Sequence, residues 1–370
     1  MKKKTFFAAA ITLLVLPAPG SAQTATADLA TRIDSMAVET MEKLGAPGLS
    51  IAAWSGDELR YAEGFGLARV EDEVPAAAET RYRTASVAKP MTATAVLHLA
   101  ESGKLDLDAP IRTYCPAFPE KRWPVTARQL LGHTAGIRHP TDAEDETTIH
   151  YETIEDALVV FAADSLLNEP GTESNYSTLG YMVLGCAIEG ASGRPFMEVL
   201  ETAVFEPAGM VSTTRDTVPR SDLTRALGYR KDAEGRIEPS LQVDTSFKLA
   251  GGGLLSTAAD LARFGGALLE GELLSPESRA SMLEPVALPG GETTPFGMGW
   301  LVGSKFGQKY AIIAGQQEEV SSILLILPEP GIAVALMSNL ERHAKELAPL
   351  VVQVATAVAG AASPSDPGTP

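Results

Sequence analysis

Arg83-Thr84-Ala85-Ser86-Val87-Ala88-Lys89-Pro90-Met91 is the stretch from which the rest of the chain can be read. Here an extended segment gives way to a helical pattern, with a hydroxyl and an amine three residues apart. Residues at i and i+3 share a helix face, so Ser86 and Lys89 point into the same space. That is the geometry a serine nucleophile needs from an amine that takes its proton. The helix that follows, to about Ser102-Gly103, is apolar on nearly every side (Met91, Ala93, Ala95, Val96, Leu97, Leu99), which predicts burial. Pro90 fits because first-turn amides have no intrahelical acceptor. A lysine at the start of such a helix either loses its charge to desolvation and becomes a base near neutral pH, or snorkels to the surface. S-x-x-K alone recurs by chance, so its meaning depends on its surroundings.

Those surroundings are a long, acidic, globular chain. It has 370 residues, 45% hydrophobic and 21% charged, with a formal net charge of −17. Such a chain offers no cationic surplus for nucleic acid or an anionic membrane. Lys2-Lys3-Lys4, the apolar run Phe6 to Leu16 and the small residues Gly20-Ser21-Ala22 form a leader, with cleavage expected after Ala22. The apolar run is too short to span a bilayer, and no cysteine follows for lipid anchoring. The expected mature protein is therefore periplasmic or secreted, without a stable membrane anchor. Cys186 lies in an apolar helical run, so Cys115 and Cys186 are expected to be buried free thiols, although one bridge could form.

Upstream of Ser86, Asp28 is placed to cap a helix with apolar Leu29, Ile33, Met36, Met41 and Leu44, stopped at Gly45. Leu49–Trp54 and Leu59–Ala62 flank Ser55-Gly56-Asp57 and read as a hairpin. Downstream, residues 104–249 show helical patterns joined by Pro-, Gly- and Asp-rich loops. They include Thr126–Leu131, Ile154–Phe161 and Leu179–Ile188. Thr257 caps a helix from Ala258 to Leu269. Short apolar runs at 299–302, 310–313, 322–327 and 332–337 are strands, and a last helix is expected from Asn339 to Gly360, interrupted or kinked near Pro349. The predicted class is α+β. Both chain ends build an antiparallel sheet flanked by helices, and a mostly helical region is inserted between them. In numbers, the leader is 1–22 and the catalytic domain 23–360. The latter comprises an α/β part (about 28–85 plus 250–360) and a helical part (about 86–249). Residues 361–370 are a Pro/Ser/Gly tail, expected to be disordered.

Four segments now fall into a recognisable order: Ser86-Val87-Ala88-Lys89, Leu130–Ile137 (LLGHTAGI), Tyr176–Tyr181 (YSTLGY) and Gly252–Leu261 (GGLLSTAADL). The chain resembles the serine β-lactamase and penicillin-binding-protein-like hydrolases. Within them it is most like the branch of class C β-lactamases, DD-peptidases, family VIII esterases and the mitochondrial β-lactamase-like protein. The resemblance spans roughly residues 28–345. It implies the β-lactamase/transpeptidase-like fold, Ser86 as an acyl-forming nucleophile, Lys89 as its base and Tyr176 as proton shuttle. A phenol beside a cationic lysine would have its anion favoured; the alternative for Tyr176 is a buried tyrosine bonded to backbone. Thr178 stands where the second motif usually has Asn and is read as a substrate contact. His133 is read as a structural loop histidine.

The third motif departs from the family. Lys or His, a small residue and Gly align with Ile313-Ala314-Gly315, so Ile313 lacks the usual cation. Lys309, four residues away, is about 13 Å off along a strand. The substrate-binding set is thus Thr178, Ile313 and Gly315. The amides of Ser86 and Gln316 are the expected oxyanion hole. Gln316-Gln317-Glu318-Glu319 is bulkier and more acidic than the family's Gly-rich version, which argues against tight binding of a β-lactam or peptide carboxylate. No cofactor or metal is implied: the five histidines contain no H-x-x-x-H pair, and G-x-S-x-G is absent. Two readings stand. One is an exported serine hydrolase acting on a small-molecule ester, amide or peptide, and not an efficient β-lactamase. The other is a degenerate member that binds a ligand or partner without turnover.

Overall fold

Residues from the two ends of the chain build one antiparallel sheet. The computed structural model describes residues 22–217, 219–305 and 307–362. The expected leader and tail lie outside the described residues, apart from Ala22 and residues 361–362. The N-terminal strands are β1 (Gly48–Ser55) and β2 (Glu58–Arg69). They are joined by Gly56-Asp57, both at positive φ, the two-residue turn whose twist suits a hairpin. The C-terminal strands are β3 (Leu301–Lys305), β4 (Gln308–Gln317), β5 (Val320–Leu327) and β6 (Ile332–Ser338). From a short edge at Val74–Pro75, the order is β2-β1-β6-β5-β4-β3. The two ends meet where β1 pairs with β6, from Leu49 opposite Ser338 to Ser55 opposite Ile332.

Strands β5 and β6 are buried along their whole length, so both faces need cover. The main helices are α1 (Ala22–Leu44), α2 (Ala88–Glu101), α3 (Leu179–Ser192), α4 (Ala258–Glu270) and α5 (Ala344–Ala362). On one face α1 and α5 pack on each other and on the sheet, around Ile33, Ile51, Ile323, Leu325, Leu336 and Val351. On the other face α4 lies against β1 and β6. The inserted region builds its core from α2 and α3, packed together. Of α2 only His98, Ala100 and Glu101 are not buried, as its apolar composition predicts. By length and composition Ala344–Ala361 could cross a membrane, but here its apolar side covers the sheet.

Several expectations need correction. Cys115 and Cys186 are not free thiols: they form a disulfide within the inserted region. The apolar surroundings of Cys186 were a true sign of burial, but burial suits a bridge as well as a thiol. The first helix starts at Ala22 rather than at Asp28. The last starts at Ala344 rather than Asn339, because Asn339 is held by the sheet. Its Oδ1 accepts from Gly48 N (2.7 Å), and its Nδ2 donates to the carbonyls of Leu67 (2.9 Å) and Ala68 (3.2 Å). Pro349 lies inside α5, which runs on to Ala362 as a single helix. The 154–161 pattern is one α-helical turn, Ile154–Ala157, followed by a 3-10 turn, Leu158–Val160.

Candidate active site

Ser86 sits in a 3-10 turn, Ala85–Val87, that runs directly into α2. Ala85 has φ +46°, a left-handed conformation that costs a non-glycine residue about 1 kcal/mol or more. The neighbours impose it. Thr84 N donates to Leu254 O (2.9 Å), and Ser322 Oγ on β5 donates to Thr84 O (2.6 Å). Gly315 lies behind the turn. A Cβ there would stand 2.3 Å from Ser322 Oγ and 2.6 Å from Thr84 O, so only glycine lets β4 approach so closely. Gly315 is therefore buried packing under Ser86, while its neighbours Ile313, Ala314 and Gln316 line the cleft.

The hydroxyl of Tyr176 donates to Ser86 Oγ at 2.6 Å, and Lys89 Nζ lies 3.1 Å from the same oxygen. Lys89 is fully buried. Its Nζ is 3.0 Å from Thr178 Oγ1 and 2.8 Å from Gly251 O. That carbonyl comes within reach because a Cβ on Gly251 would collide with Thr178, at 2.8 Å from its Cγ2. Burial holds the Lys89 ammonium well below the usual lysine range, helped by the positive charge of Lys248 and opposed by Asp145. A neutral amine has two N–H groups and one lone pair. Gly251 O can only accept, and Thr178 Oγ1 would take the second N–H of such an amine. Its lone pair would then meet the Ser86 hydroxyl, as a general base requires.

Tyr176 differs from expectation. Burial raises its phenol above the ordinary value, while the bonds to Ser86 and Thr178 work the other way. The phenol is neutral and a donor, because burial disfavours its anion. Its ring is clamped between His133 (centroids 4.4 Å apart), His139 (5.4 Å) and Phe296 (5.8 Å). His133 is buried, and its Nδ1 accepts from Ser177 N (3.2 Å). Burial first, then Lys89 and His139, press its imidazolium well below the usual range. It is a neutral support for Tyr176.

Thr178 contacts Lys89, and its backbone N donates to His139 Nδ1 (3.3 Å). Ile313 is buried in the cleft wall, with no charge to offer. Lys309 is exposed and bonded to Glu284 (3.1 Å), away from the site. Sequence reasoning missed a different cation. Lys248, in the turn before Gly251, is buried, lines the cleft, and pairs with Asp145 (2.9 Å) and more distantly with Glu318 (3.9 Å). Gln317, read from the sequence only as part of a bulky acidic segment, lines the same cleft and has a buried Nε2 with no partner among the described residues. No sequence pattern flags either residue; only the fold brings them to Ser86. The GGLLSTAADL segment proves architectural. Thr257 Oγ1 caps α4, and buried Asp260 accepts from Ser212 N (2.7 Å) and Thr213 Oγ1 (2.9 Å).

Ser86, Tyr176 and Thr178 open into a cleft of about 390 Å³ between the inserted region and β4. A serine with a buried amine and a neutral phenol on its oxygen, at the edge of an antiparallel sheet, defines a serine hydrolase of the β-lactamase/transpeptidase-like fold. Residues 33–357 match the Beta-lactamase family model, and the chain belongs to that family. It is similar to the human serine beta-lactamase-like protein LACTB, mitochondrial (29% identity, 78% of this chain and 70% of that protein). It is also similar to penicillin-binding protein 4* of Bacillus subtilis (31% identity, 70% of this chain and 60% of that protein). Among solved structures, D-amino acid amidase from Ochrobactrum anthropi superposes with a TM-score of 0.78 (26% identity, 91% of this chain and all of that one). The octameric penicillin-binding protein homologue from Pyrococcus abyssi gives 0.76 (29% identity, 87% and 77%).

Proposed function

We propose that this chain is an exported acyl-enzyme hydrolase of small uncharged esters or amides, with Ser86 as nucleophile, Lys89 as base and Tyr176 as proton relay. The observation that carries the reading is the shared contact of Lys89 and Tyr176 on Ser86 Oγ, with Lys89 fully buried. As Oγ attacks the carbonyl, Lys89 takes its proton. The carbonyl oxygen becomes an oxyanion, held by the amides of Ser86 and Gln316. When the bond to the leaving group breaks, the proton returns to that group by way of the Tyr176 phenol. Water then repeats the sequence on the acyl-enzyme.

An uncharged substrate is supported by apolar Ile313 where the family carries a cation. Lys248 does not replace that cation, because two carboxylates already face it. Gln317 Nε2 offers a neutral donor in its stead. The similar amidase, solved with L-phenylalanine amide, supports small amides within this range. Peptides remain within the proposed substrates; nucleic acid does not, given the acidic chain. Export is supported by the leader pattern and by the Cys115–Cys186 disulfide, which suits an oxidising compartment. Recovery of a protein beginning at Gln23 from outside the cytoplasm would test it.

The chemistry is tested by intact-mass analysis after treatment with a fluorophosphonate and with a p-nitrophenyl ester. One adduct per chain is expected, absent in Ser86→Ala, whose turnover falls by about 10³-fold or more. A wild-type chain that gains no adduct and turns over no ester would return the reading to a ligand-binding protein. Rapid nitrocefin hydrolysis lost in Ser86→Ala would overturn the claim that it is a poor β-lactamase.

A further inference from the structure

The cleft that holds Ser86 does not stop at the face of the sheet. Strand β3 pairs with β4 only as far as Leu301 opposite Ile312, so the edge of β4 from Ile313 to Gln317 has no strand partner on that side among the described residues. One continuous cavity passes round this open edge. On the Ser86 face it carries the polar side chains Tyr176, Thr178, Lys248 and Gln317 beside apolar Ile313 and Phe296. On the other face it is lined by Leu301, Tyr310, Ile312, Ile323, Ala344 and Ala348. Strand register confirms that these strand residues share one side: Leu301 faces Ile312, and Ala314 faces Ile323. Ile323 and Ala348 belong to the hydrophobic cluster beneath α1 and α5. Lys345, exposed at the rim, is the one charged residue lining this lobe among the described residues.

We infer that this apolar lobe is an acyl-chain pocket, and that the preferred substrates are esters of medium-length aliphatic acids whose chain crosses the β4 edge from Ser86. The inference rests on the hydrolase reading above. Apolar surface continuous with a nucleophile's cleft gains from burying apolar substrate. The small side chains Ala314, Ala344 and Ala348 leave the room that larger residues would fill. The acyl part, rather than the leaving group, is the fitting occupant. It stays bonded to Ser86 Oγ through both half-reactions, beside the strand whose Gln316 amide would hold its carbonyl oxygen, so the same contact serves both steps. A leaving group would use the lobe in the first step only.

The test is kcat/KM for p-nitrophenyl acetate, butanoate, hexanoate and octanoate, with hexyl and octyl acetate as the reverse series. Each added acyl methylene is expected to raise kcat/KM by up to about fourfold until the lobe is full. Ala348→Phe, which fills the lobe, should lower the octanoate value by about tenfold or more and leave acetate unchanged. Leu301→Gln, on the half-buried edge strand, should weaken the chain-length preference in the same direction if Ala348→Phe fails to fold. A flat acyl series with active acetate hydrolysis overturns the inference. So does a preference that follows alcohol length, or a loss equal for acetate and octanoate in both variants. If no ester is hydrolysed in a Ser86-dependent way, the hydrolase reading fails instead.

Discussion

Lys89 carries the tension between stability and chemistry at the level of one residue. Burial lowers its ammonium well below the ordinary lysine range, so between that lowered native value and the ordinary one it binds more protons unfolded than folded. Stability contributed through this group therefore rises with pH across that window, and neutral pH carries the cost. Lys89→Met keeps the length and removes the titration. Its stability relative to wild type should be most favourable near pH 7 and decline towards pH 10, read by urea unfolding at both values. Ester turnover should fall by about 10³-fold or more. A stability difference that does not change with pH would mean that Lys89 is not neutral in the fold. The candidate base was legible in sequence because an apolar helix announces the burial of its first turn. The state of Tyr176 was not, because it is set by burial, which only the packing of His133, His139 and Phe296 around the ring produces.

At the level of elements, the hairpin between β4 and β5 shows how the third-motif segment was both legible and misleading. Its excess of acid was plain in Gln316-Gln317-Glu318-Glu319, but the partners were not, since they come from distant parts of the chain. Glu319 holds φ +75° in the turn. Its carboxylate lies 3.3 Å from Arg83 Nε and 3.2 Å from Arg225 Nη2, and also meets Arg220. Glu318 meets Arg342 and faces Lys248. The turn is thus tied to Arg83, three residues before Ser86, and its carboxylates are paired inside the protein rather than turned to a ligand. Glu341 accepts from the Glu319 amide (3.2 Å) and from Ser240. Burial, then the charge of Glu318, push its carboxyl up to about 7, against Arg342, Arg230 and His343. A raised carboxyl contributes stability that is present below its unfolded value and lost as pH rises through about 7. Glu341→Gln, which mimics the protonated form, should flatten the stability–pH profile between about pH 5 and 7 and gain on wild type at pH 8. Denaturant titrations across that range measure it, and parallel profiles for the two proteins would rule it out.

For the whole molecule, the α+β class and the shared sheet followed from the placement of strand patterns at both ends. The disulfide did not, because two cysteines 71 residues apart gain proximity only from the packing of the inserted region. Closing so long a loop restricts the unfolded chain, and its loss should cost about 2–5 kcal/mol. The double variant Cys115→Ala/Cys186→Ala should unfold at lower denaturant by that amount, while native mass spectrometry of wild type shows no free thiol. Equal midpoints would contradict it. The pairing of β1 with β6 has another consequence, in time rather than energy. On the ribosome, Ser55 waits for Ile332 before it meets its partner. At about 5–20 residues per second that delay is about 15–55 s. Throughout it the N-terminal hairpin has an open edge and no sheet to join. Until then the chain remains threadable, and its central sheet closes only when β6 has emerged.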